Sequence, residues 1–271
     1  LDPISKRSNL HVLTGHTVTG IIFDRSGKNA QATGVHYAAS SNEASHTVHA
    51  NKEVIISGGA INSPQILQLS GIGDKNLLNG LGIDVVVDLP GVGENLQDHV
   101  SAGMSFKPKN KKDAGPTSVT GDAKADSYVN SAVSYTSLGK LFNNKDSILG
   151  KIQARAKQIA DSHNVSPAVK QGQSKAYNAL ADTIFPSKVS PVEILGNVMF
   201  GSISIQAALQ HPLSRGSIKI TSKDPFAYPK INPNYFAENL DLVLLREGFK
   251  LIREMSQQSP LKDVIDFETV P

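Results

Sequence analysis

One short segment constrains the fold of this chain more than any other. Glu53–Ser57 contains Val, Ile and Ile in succession and is followed directly by Gly58 and Gly59. Three consecutive branched apolar residues suit a strand that is buried on both of its faces. The segment is therefore predicted to be a central strand of an α/β sheet.

A short helix is predicted after this strand. Ser63 has the chemistry of an N-cap, and Pro64 fits the first helical position, where its missing N–H costs nothing. The helix is expected to run from Pro64 to about Leu69, and Gly71 can take the left-handed conformation that ends it. The order of strand, glycine turn and helix brings backbone N–H groups to the mouth of a ligand site.

The fifty residues before this segment are typical of β-hairpins. Short runs with β-branched residues alternate with turn signals at 26–29 and 40–43. These runs predict strands over 10–14, 17–24, 31–39 and 47–50. A further short strand is predicted over 85–88.

Helices and a second β region are predicted in the rest of the chain. Residues 122–181 are rich in Ala, Ser, Lys and Gln and favour helices, with Ile148, Ile152 and Ile159 available for their apolar faces. Alternation predicts strands over 202–208 and 216–220. A final amphipathic helix is predicted from Asn239, and its apolar face comprises Leu240, Leu244, Leu251, Ile252 and Met255.

Composition excludes several classes of site. The 271 residues include no Cys, which removes disulfides, thiolate nucleophiles and Cys-based zinc sites. None of the eight His forms a His-x-x-x-His pair, so no metal site is expected. The basic run Lys107–Lys112 has no interleaved aromatic residues, so no nucleic-acid partner is expected.

Targeting signals in the sequence are few. No window of the sequence approaches the ~18 apolar residues of a membrane span, so no membrane-spanning segment is expected. Asn164 begins a glycosylation sequon, which favours a secreted, extracellular protein.

Residues 59–73 resemble the second signature of the glucose-methanol-choline (GMC) oxidoreductases. This segment begins with two small residues and has Ser-Pro after two further residues. It then contains a pair of aliphatic residues and ends with Ser-Gly-aliphatic-Gly. Other stretches occur in the same order as in that family, namely 10–18, 87–99, 211–218, 224–225 and 232–235. The resemblance covers most of the chain and is weakest from about 107 to 190.

The resemblance implies an α/β plus α+β fold with two domains. Residues 1–99 would be part of an FAD-binding domain of the GMC and p-hydroxybenzoate hydroxylase-like type. Residues 100–271 would be a substrate-binding domain, built on an antiparallel sheet covered by helices. The family's C-terminal region would begin near residue 211.

The resemblance also implies FAD as the cofactor, held by the backbone. Val18 matches the position whose amide and carbonyl meet the adenine. Ser57, Gly58, Gly59 and Ala60 match the strand-end turn, where side chains larger than Ala would hold the cofactor off. Without the family, Val18 is an ordinary strand residue and Gly58-Gly59 an ordinary turn.

No residue of the chain is expected to be catalytic. Ser63 has no Gly-x-Ser-x-Gly elbow around it and is interpreted as a helix cap. Asp98 and His99 are adjacent in a loop, which suits anchoring of that loop better than sharing one reacting proton. His211 and Arg215 are interpreted as structural, with Arg215 binding carbonyl groups between strands.

Two segments of the family are not found in this sequence. The Gly-x-Gly-x-x-Gly pyrophosphate turn does not occur, and the catalytic His with its second His or Asn would follow Pro271. The chain is therefore expected to be an internal segment of a longer enzyme, with the remaining segments of the parent chain as its partners.

The implied reaction is oxidation of an alcohol or sugar hydroxyl by hydride transfer to flavin N5, with oxygen or a quinone-type compound as the electron acceptor. The stretches 48–56 and 232–235 are most similar to fungal glucose oxidases and FAD-glucose dehydrogenases. Two alternatives stay open, namely a hydroxynitrile lyase on the same scaffold and a catalytically inactive fragment or binding module.

Overall fold

The computed structural model describes residues 7–114, 120–122, 126, 131–162, 166–187, 189–199 and 201–270. The chain forms two compact units, and each is built from two separate stretches of sequence. The first unit comprises residues 1–96 and 216–232, and the second comprises 97–215 and 233–271. The assignment of flavin-binding and substrate-binding domains stays a prediction. The sequon at Asn164 lies outside the described residues.

An antiparallel sheet of three strands opens the first unit. Its strands are β1 (Thr17–Asp24), β2 (Gln31–Ala38) and β3 (His46–His49), in the order β1-β2-β3. The three predicted strands in this region are therefore confirmed, whereas residues 10–14 form no strand. Pairing jumps from Val18 opposite Tyr37 to Gly20 opposite His36, so Thr19 is the extra residue of a β-bulge.

The helix after the double glycine starts earlier than predicted. Helix α1 spans Gly59–Leu69, so Pro64 lies inside it and Ser63 is not its N-cap. Gly59 has a φ of +77°, which side-chain-bearing residues rarely adopt, and this allows the chain to turn into the helix at once. At the other end Gly71 has a φ of +82°, as predicted for the residue that ends the helix.

The prediction of a central strand over Glu53–Ser57 is wrong for the structure of this chain. No strand of the described residues pairs with this segment, and Ile55 is 76% exposed. A strand that is apolar on both faces needs hydrogen-bonded neighbours and a packed layer on each side. The described residues supply neither, so the segment forms no strand.

Two small sheets complete the first unit. One is a parallel pair of two-residue strands, β4 (Ile72–Gly73) and β5 (Val87–Asp88), which flank helix α2 (Lys75–Gly80). The other is antiparallel, in the order β12-β11-β6, and consists of β6 (Glu94–Leu96), β11 (Gly216–Lys219) and β12 (Lys230–Asn232). The predicted strand at 85–88 is thus shorter than expected, and the one at 216–220 is confirmed.

Gln68 connects α1 to both stretches of the first unit. Its side chain is fully buried, and its Nε2 donates hydrogen bonds to the carbonyl oxygens of Val92 at 3.2 Å and Ile218 at 3.0 Å. Its Oε1 accepts from the backbone N–H of Ile220 at 2.9 Å. One amide therefore satisfies three buried backbone groups, two of them about 150 residues away in sequence.

The second unit is built on a five-stranded antiparallel sheet. The strand order is β13-β7-β10-β9-β8, with β7 (Ser101–Pro108), β8 (Ser131–Thr136), β9 (Val192–Met199), β10 (Ser202–Leu209) and β13 (Ile265–Val270). The strand predicted over 202–208 is confirmed. Residues 131–136 were expected to be helical and instead form the edge strand β8, because their pairing with β9 outweighs their weak local preference.

Helix α6 (Asn239–Ser256) packs on this sheet against β7, β9 and β10, and it is one of five α-helices among the described residues of the second unit. The others are α3 (Leu138–Leu141), α4 (Lys145–Ser162), α5 (Pro167–Ala179) and α7 (Leu261–Val264). Ile148, Ile152 and Ile159 are buried as predicted. Gly248 lets α6 approach the sheet closely, because a Cβ there would lie 2.8 Å from the Cβ of Ala207. Among the described residues, none of the helices is long and apolar enough to cross a membrane.

A buried carboxylate fixes the corner that precedes β11. Asp241, in the first turn of α6, is 1% exposed and accepts hydrogen bonds from the N–H groups of Leu213 at 2.7 Å and Ser214 at 2.8 Å. The Tyr177 hydroxyl donates to the Leu213 carbonyl at 2.7 Å, and burial raises the pKa of this hydroxyl to about 12. The corner at 213–214 therefore depends on buried polar groups from two helices.

The first prediction concerns Gln68. Replacing it by Leu keeps the volume but leaves two carbonyls and one N–H buried without partners, so we expect a loss of about 2–4 kcal/mol in unfolding free energy. Urea unfolding measures this loss, and hydrogen exchange should show faster exchange at the Ile220 amide. Gln31→Leu, the same change at an exposed glutamine, should alter stability by less than about 0.5 kcal/mol. Equal effects of the two substitutions would contradict the assigned function of Gln68.

The second prediction concerns Asp241. Asp241→Ala removes the acceptor of two buried N–H groups, and we expect it to lower the unfolding free energy by about 2–4 kcal/mol. Glu254→Ala, on the exposed side of the same helix, is the matched control and should cost less than about 0.5 kcal/mol. Thermal unfolding of the two variants makes the comparison. A stable Asp241→Ala protein would show that the corner does not need the carboxylate.

Candidate functional site

A polar cleft in the first unit brings together residues from three separate parts of the sequence. Its volume is about 430 Å³. The start of β1, the first turns of α1 and the segment Pro225–Tyr228 form its walls. The lining residues are His16, Thr17, Val18, Gly58, Asn62, Gln65, Ile66, Leu69, Pro225, Phe226, Ala227 and Tyr228.

The structure places two of the five predicted cofactor residues in this cleft. Val18 and Gly58 line it, although they are 40 positions apart in sequence. Ser57, Gly59 and Ala60 are exposed and do not line the cleft. Their proposed contact with a cofactor therefore stays a prediction.

A serine at the end of α1 sets the position of β1 against this helix. The Ser70 hydroxyl donates to the carbonyl of Ile66 at 2.6 Å and accepts the N–H of Ile21 at 2.9 Å. The hydroxyl thus joins the last turn of α1 to the middle of β1. The bulge at Thr19 lies between this contact and Val18, and bulges locally re-aim the strand that carries them.

A glutamine holds the wall formed by Pro225–Tyr228. Gln65 is 8% exposed, and its Nε2 donates to the carbonyl of Ala227 at 2.9 Å and reaches that of Pro225 at 3.5 Å. Gln65 and Gln68 are three residues apart and therefore lie on the same side of α1. Sequence reasoning missed both, because only the fold shows that their partners are backbone groups far along the chain.

The walls of the cleft offer mostly backbone and uncharged side chains. Within the lining set, His16 and Tyr228 are the only titratable residues, and no carboxylate is present. Gly58 cannot easily be replaced, since a Cβ there would lie 3.1 Å from the Cβ of Asn62 and from the N of Ser63. Such a cleft is suited to a ligand that is bound through hydrogen bonds to the backbone.

The other predicted polar residues lie in the second unit. The Tyr235 hydroxyl donates to the carboxylate of Asp98 and thereby ties down the loop at Asp98, and this bond raises the pKa of the tyrosine. Burial lowers the pKa of His211, and electrostatic interaction with the neighbouring His99 and Arg215 side chains lowers it further. These contacts support a structural interpretation of the loop.

Arg215 binds carbonyl groups of its own turn. Its Nη1 donates to the carbonyl of Ser214 at 2.9 Å and also contacts that of Pro212, while its guanidinium lies 5.3 Å from the centre of the Tyr177 ring. Arg215 was expected to bind carbonyl groups between strands. The structure instead shows it bound to carbonyl groups just before β11. Among the described residues, no cluster of three His, Asp or Glu could hold a metal ion.

Comparison with known families gives matches at both ends of the chain. Two models, both described as GMC oxidoreductase, match residues 1–101 and 212–271. Together they cover more than half of the chain. The first match includes β1 and α1, and therefore two of the three walls of the cleft.

Individual relatives match almost the whole of this chain. A dehydrogenase from Armillaria gallica is 34% identical over 98% of this chain and 44% of its own length. Pyranose dehydrogenase 3 from Leucoagaricus meleagris is 32% identical over 98% of this chain and 43% of its own length. The chain thus spans less than half the length of the relatives it matches.

A solved structure shows the same fold. An FAD-dependent oxidoreductase from Chaetomium thermophilum superimposes with a TM-score of 0.85 and 29% identity, over 100% of this chain and 48% of the other. The expected fold class, with mixed α/β structure and antiparallel sheets, is confirmed, and FAD is the cofactor named for this neighbour. From its two matching family models and its fold, the chain belongs to the GMC oxidoreductase family.

Proposed function

We propose that this chain supplies the adenine-binding part of an FAD site in an enzyme that oxidises a CH–OH group. The observation that carries the proposal is the cleft that contains both Val18 and Gly58. These residues are far apart in sequence and were predicted to contact the same cofactor. FAD would supply the hydride acceptor, while the residues of this chain bind and orient its nucleotide end.

The chemistry of the cleft fits an adenine nucleotide. Adenine presents a donor and acceptors at its edge, which a strand backbone can match without any particular side chain. Val18 lies at the start of β1 and is partly exposed toward the cleft. A bland aliphatic residue is sufficient there if its amide and carbonyl make the contacts.

The start of α1 suits the phosphates of the cofactor. The first N–H groups of a helix lack partners within the helix, and the helix dipole favours negative charge at this end. Gly59 has open space where a side chain would be, and Gly58 and Ala60 beside it are exposed. A pyrophosphate could therefore approach this backbone closely, as the match to Ser57, Gly58, Gly59 and Ala60 implies.

The second unit is proposed as the substrate-binding domain. The sheet face on which α6 packs contains the buried residues Ile203, Ile205 and Ala207, while Ser202, Ser204 and Gln206 alternate with them and point to the other face. A polar sheet face suits hydroxyl-bearing substrates. No residue of the chain is proposed as catalytic.

A sugar or a related alcohol is the proposed substrate, with oxygen or a quinone-type compound as electron acceptor. The similarity to pyranose dehydrogenase 3 supports a sugar. The fungal relatives and the sequon at Asn164 support a secreted enzyme. The remaining segments of the parent chain are proposed as partners, which agrees with a chain that spans 44% of its relative.

The third prediction tests whether FAD binds in the cleft. Titration of the purified chain with FAD, followed by quenching of flavin fluorescence, should give saturable binding. Asn62 is exposed on α1 and lines the cleft, so Asn62→Phe should fill it and weaken binding at least tenfold without lowering the unfolding temperature. Val18→Ala keeps the backbone and should bind FAD within twofold of the natural chain.

Asn79→Phe is the matched control for added bulk, since Asn79 is exposed on α2 and does not line the cleft. Its affinity for FAD should be unchanged. Absence of FAD binding by the natural chain would overturn the proposal for the cleft. Equal affinities of the Asn62→Phe and Asn79→Phe proteins would show that FAD binds elsewhere.

The substrate is tested by the visible spectrum of the full-length enzyme before and after addition of glucose. Flavin bands that bleach with glucose support sugar oxidation. Bands that bleach only with other alcohols reject glucose and keep the CH–OH oxidoreductase. Bands that never bleach, together with release of cyanide from a cyanohydrin, would replace the proposed oxidation by lyase chemistry.

A further inference from the structure

The wall of the cleft formed by Pro225–Tyr228 is a tight and well-fixed turn. Asp224 accepts the N–H of Phe226 through Oδ1 at 2.9 Å, and its carbonyl accepts the N–H of Ala227 at 3.2 Å. Pro225 restricts the backbone between them. With the hydrogen bonds from Gln65 to the same segment, the turn has little freedom to move relative to α1.

An unusually exposed aromatic residue follows this turn. Tyr228 is 89% exposed, although the next residue, Pro229, is buried. Within the described part of the chain, no hydrogen bond or ring contact of Tyr228 is found. Packing in the first unit therefore gives no reason for a large aromatic side chain at this position.

The position of Tyr228 beside the cleft provides such a reason. Tyr228 lines the cleft together with Val18, while the apolar side chains of Ile66 and Leu69 contribute from α1. A cleft with strand backbone on one wall and an aromatic ring on another suits a flat heteroaromatic ligand. The backbone can bond the edge of such a ligand, and the ring can cover its face.

We propose that Tyr228 stacks on the purine base of a nucleotide bound in this cleft. The proposal rests on the function proposed above, in which the cleft holds the adenine end of FAD, and it adds the side chain that recognises the face of the base. Stacking is largely independent of hydrogen bonding at the edge of the base. Tyr228 would thus favour aromatic bases over sugars or aliphatic groups of similar size.

The fourth prediction tests this contact with AMP, which carries the base without the flavin. We expect the natural chain to bind AMP, and Tyr228→Ala to weaken that binding by about five- to a hundredfold, the range for loss of one base–aromatic stack. Tyr228→Phe keeps the ring and should bind within twofold of the natural chain. Chemical-shift titration measures even weak affinities of this kind.

Two further variants separate stacking on the base from the loss of an apolar contact and from the loss of an exposed tyrosine elsewhere. Tyr228→Leu keeps an apolar side chain without a ring and should lose as much affinity as Tyr228→Ala. Tyr135→Ala removes another highly exposed tyrosine, 66% exposed and in the second unit, and should leave AMP affinity unchanged. All variants should unfold at the temperature of the natural chain, because Tyr228 contributes little buried area.

The outcomes distinguish the two proposals. If the natural chain binds AMP and the Tyr228→Ala or Tyr228→Leu protein binds it equally well, the stacking assignment is wrong while the nucleotide cleft stands. If the natural chain does not bind AMP, both the adenine site and the stacking are overturned. Weakening in Tyr228→Ala and Tyr228→Leu, with retention in Tyr228→Phe, supports the assignment.

Discussion

The buried amide of Gln68 is the interaction on which the first unit depends most. Its three hydrogen bonds reach the carbonyl of Val92, the carbonyl of Ile218 and the N–H of Ile220. They therefore join the stretch 1–96 to the stretch 216–232. A buried amide with no partners would cost several kcal/mol, which makes the correct pairing far more favourable than any slipped arrangement. The hydrogen bonds therefore select one register for β11 against α1.

The same helix positions the cleft through two further polar side chains. Gln65 holds the turn at Pro225–Tyr228, and Ser70 holds β1 at Ile21. The three contacts come from six consecutive residues, 65–70, at the C-terminal end of α1, although their partners are spread over about 200 residues of sequence. A change in the position of α1 would thus move two walls of the cleft together. The geometry of the site follows from one short helix.

Sequence patterns predicted the parts of the fold that depend on local periodicity. The β-hairpins, the strand β10 and the helix α6 were found because their alternation and spacing reflect burial on one face. Glu53–Ser57 shows the limit of this reasoning. Its composition predicts burial on both faces, yet pairing is a property of neighbours, and the described residues provide none. Residues 131–136 show the converse, since a partner strand made a strand from a weak pattern.

The candidate site was only partly predictable for a different reason. The contacts expected of Val18 and Gly58 are made by backbone, and backbone groups are identical at every residue, so neither position carries a chemical signal in its side chain. Gln65 and Tyr228 have distinctive side chains, but the partner of Gln65 lies in a turn about 160 residues along the chain, and Tyr228 is placed beside the cleft by that same turn. Val18 and Gly58 could be found only through the order of the family's sequence motifs. Gln65 and Tyr228 could be found only from the fold. A site of the proposed kind, built from backbone groups and one aromatic face, can keep its geometry while its residue types change, which agrees with a solved structure that shares the fold at 29% identity.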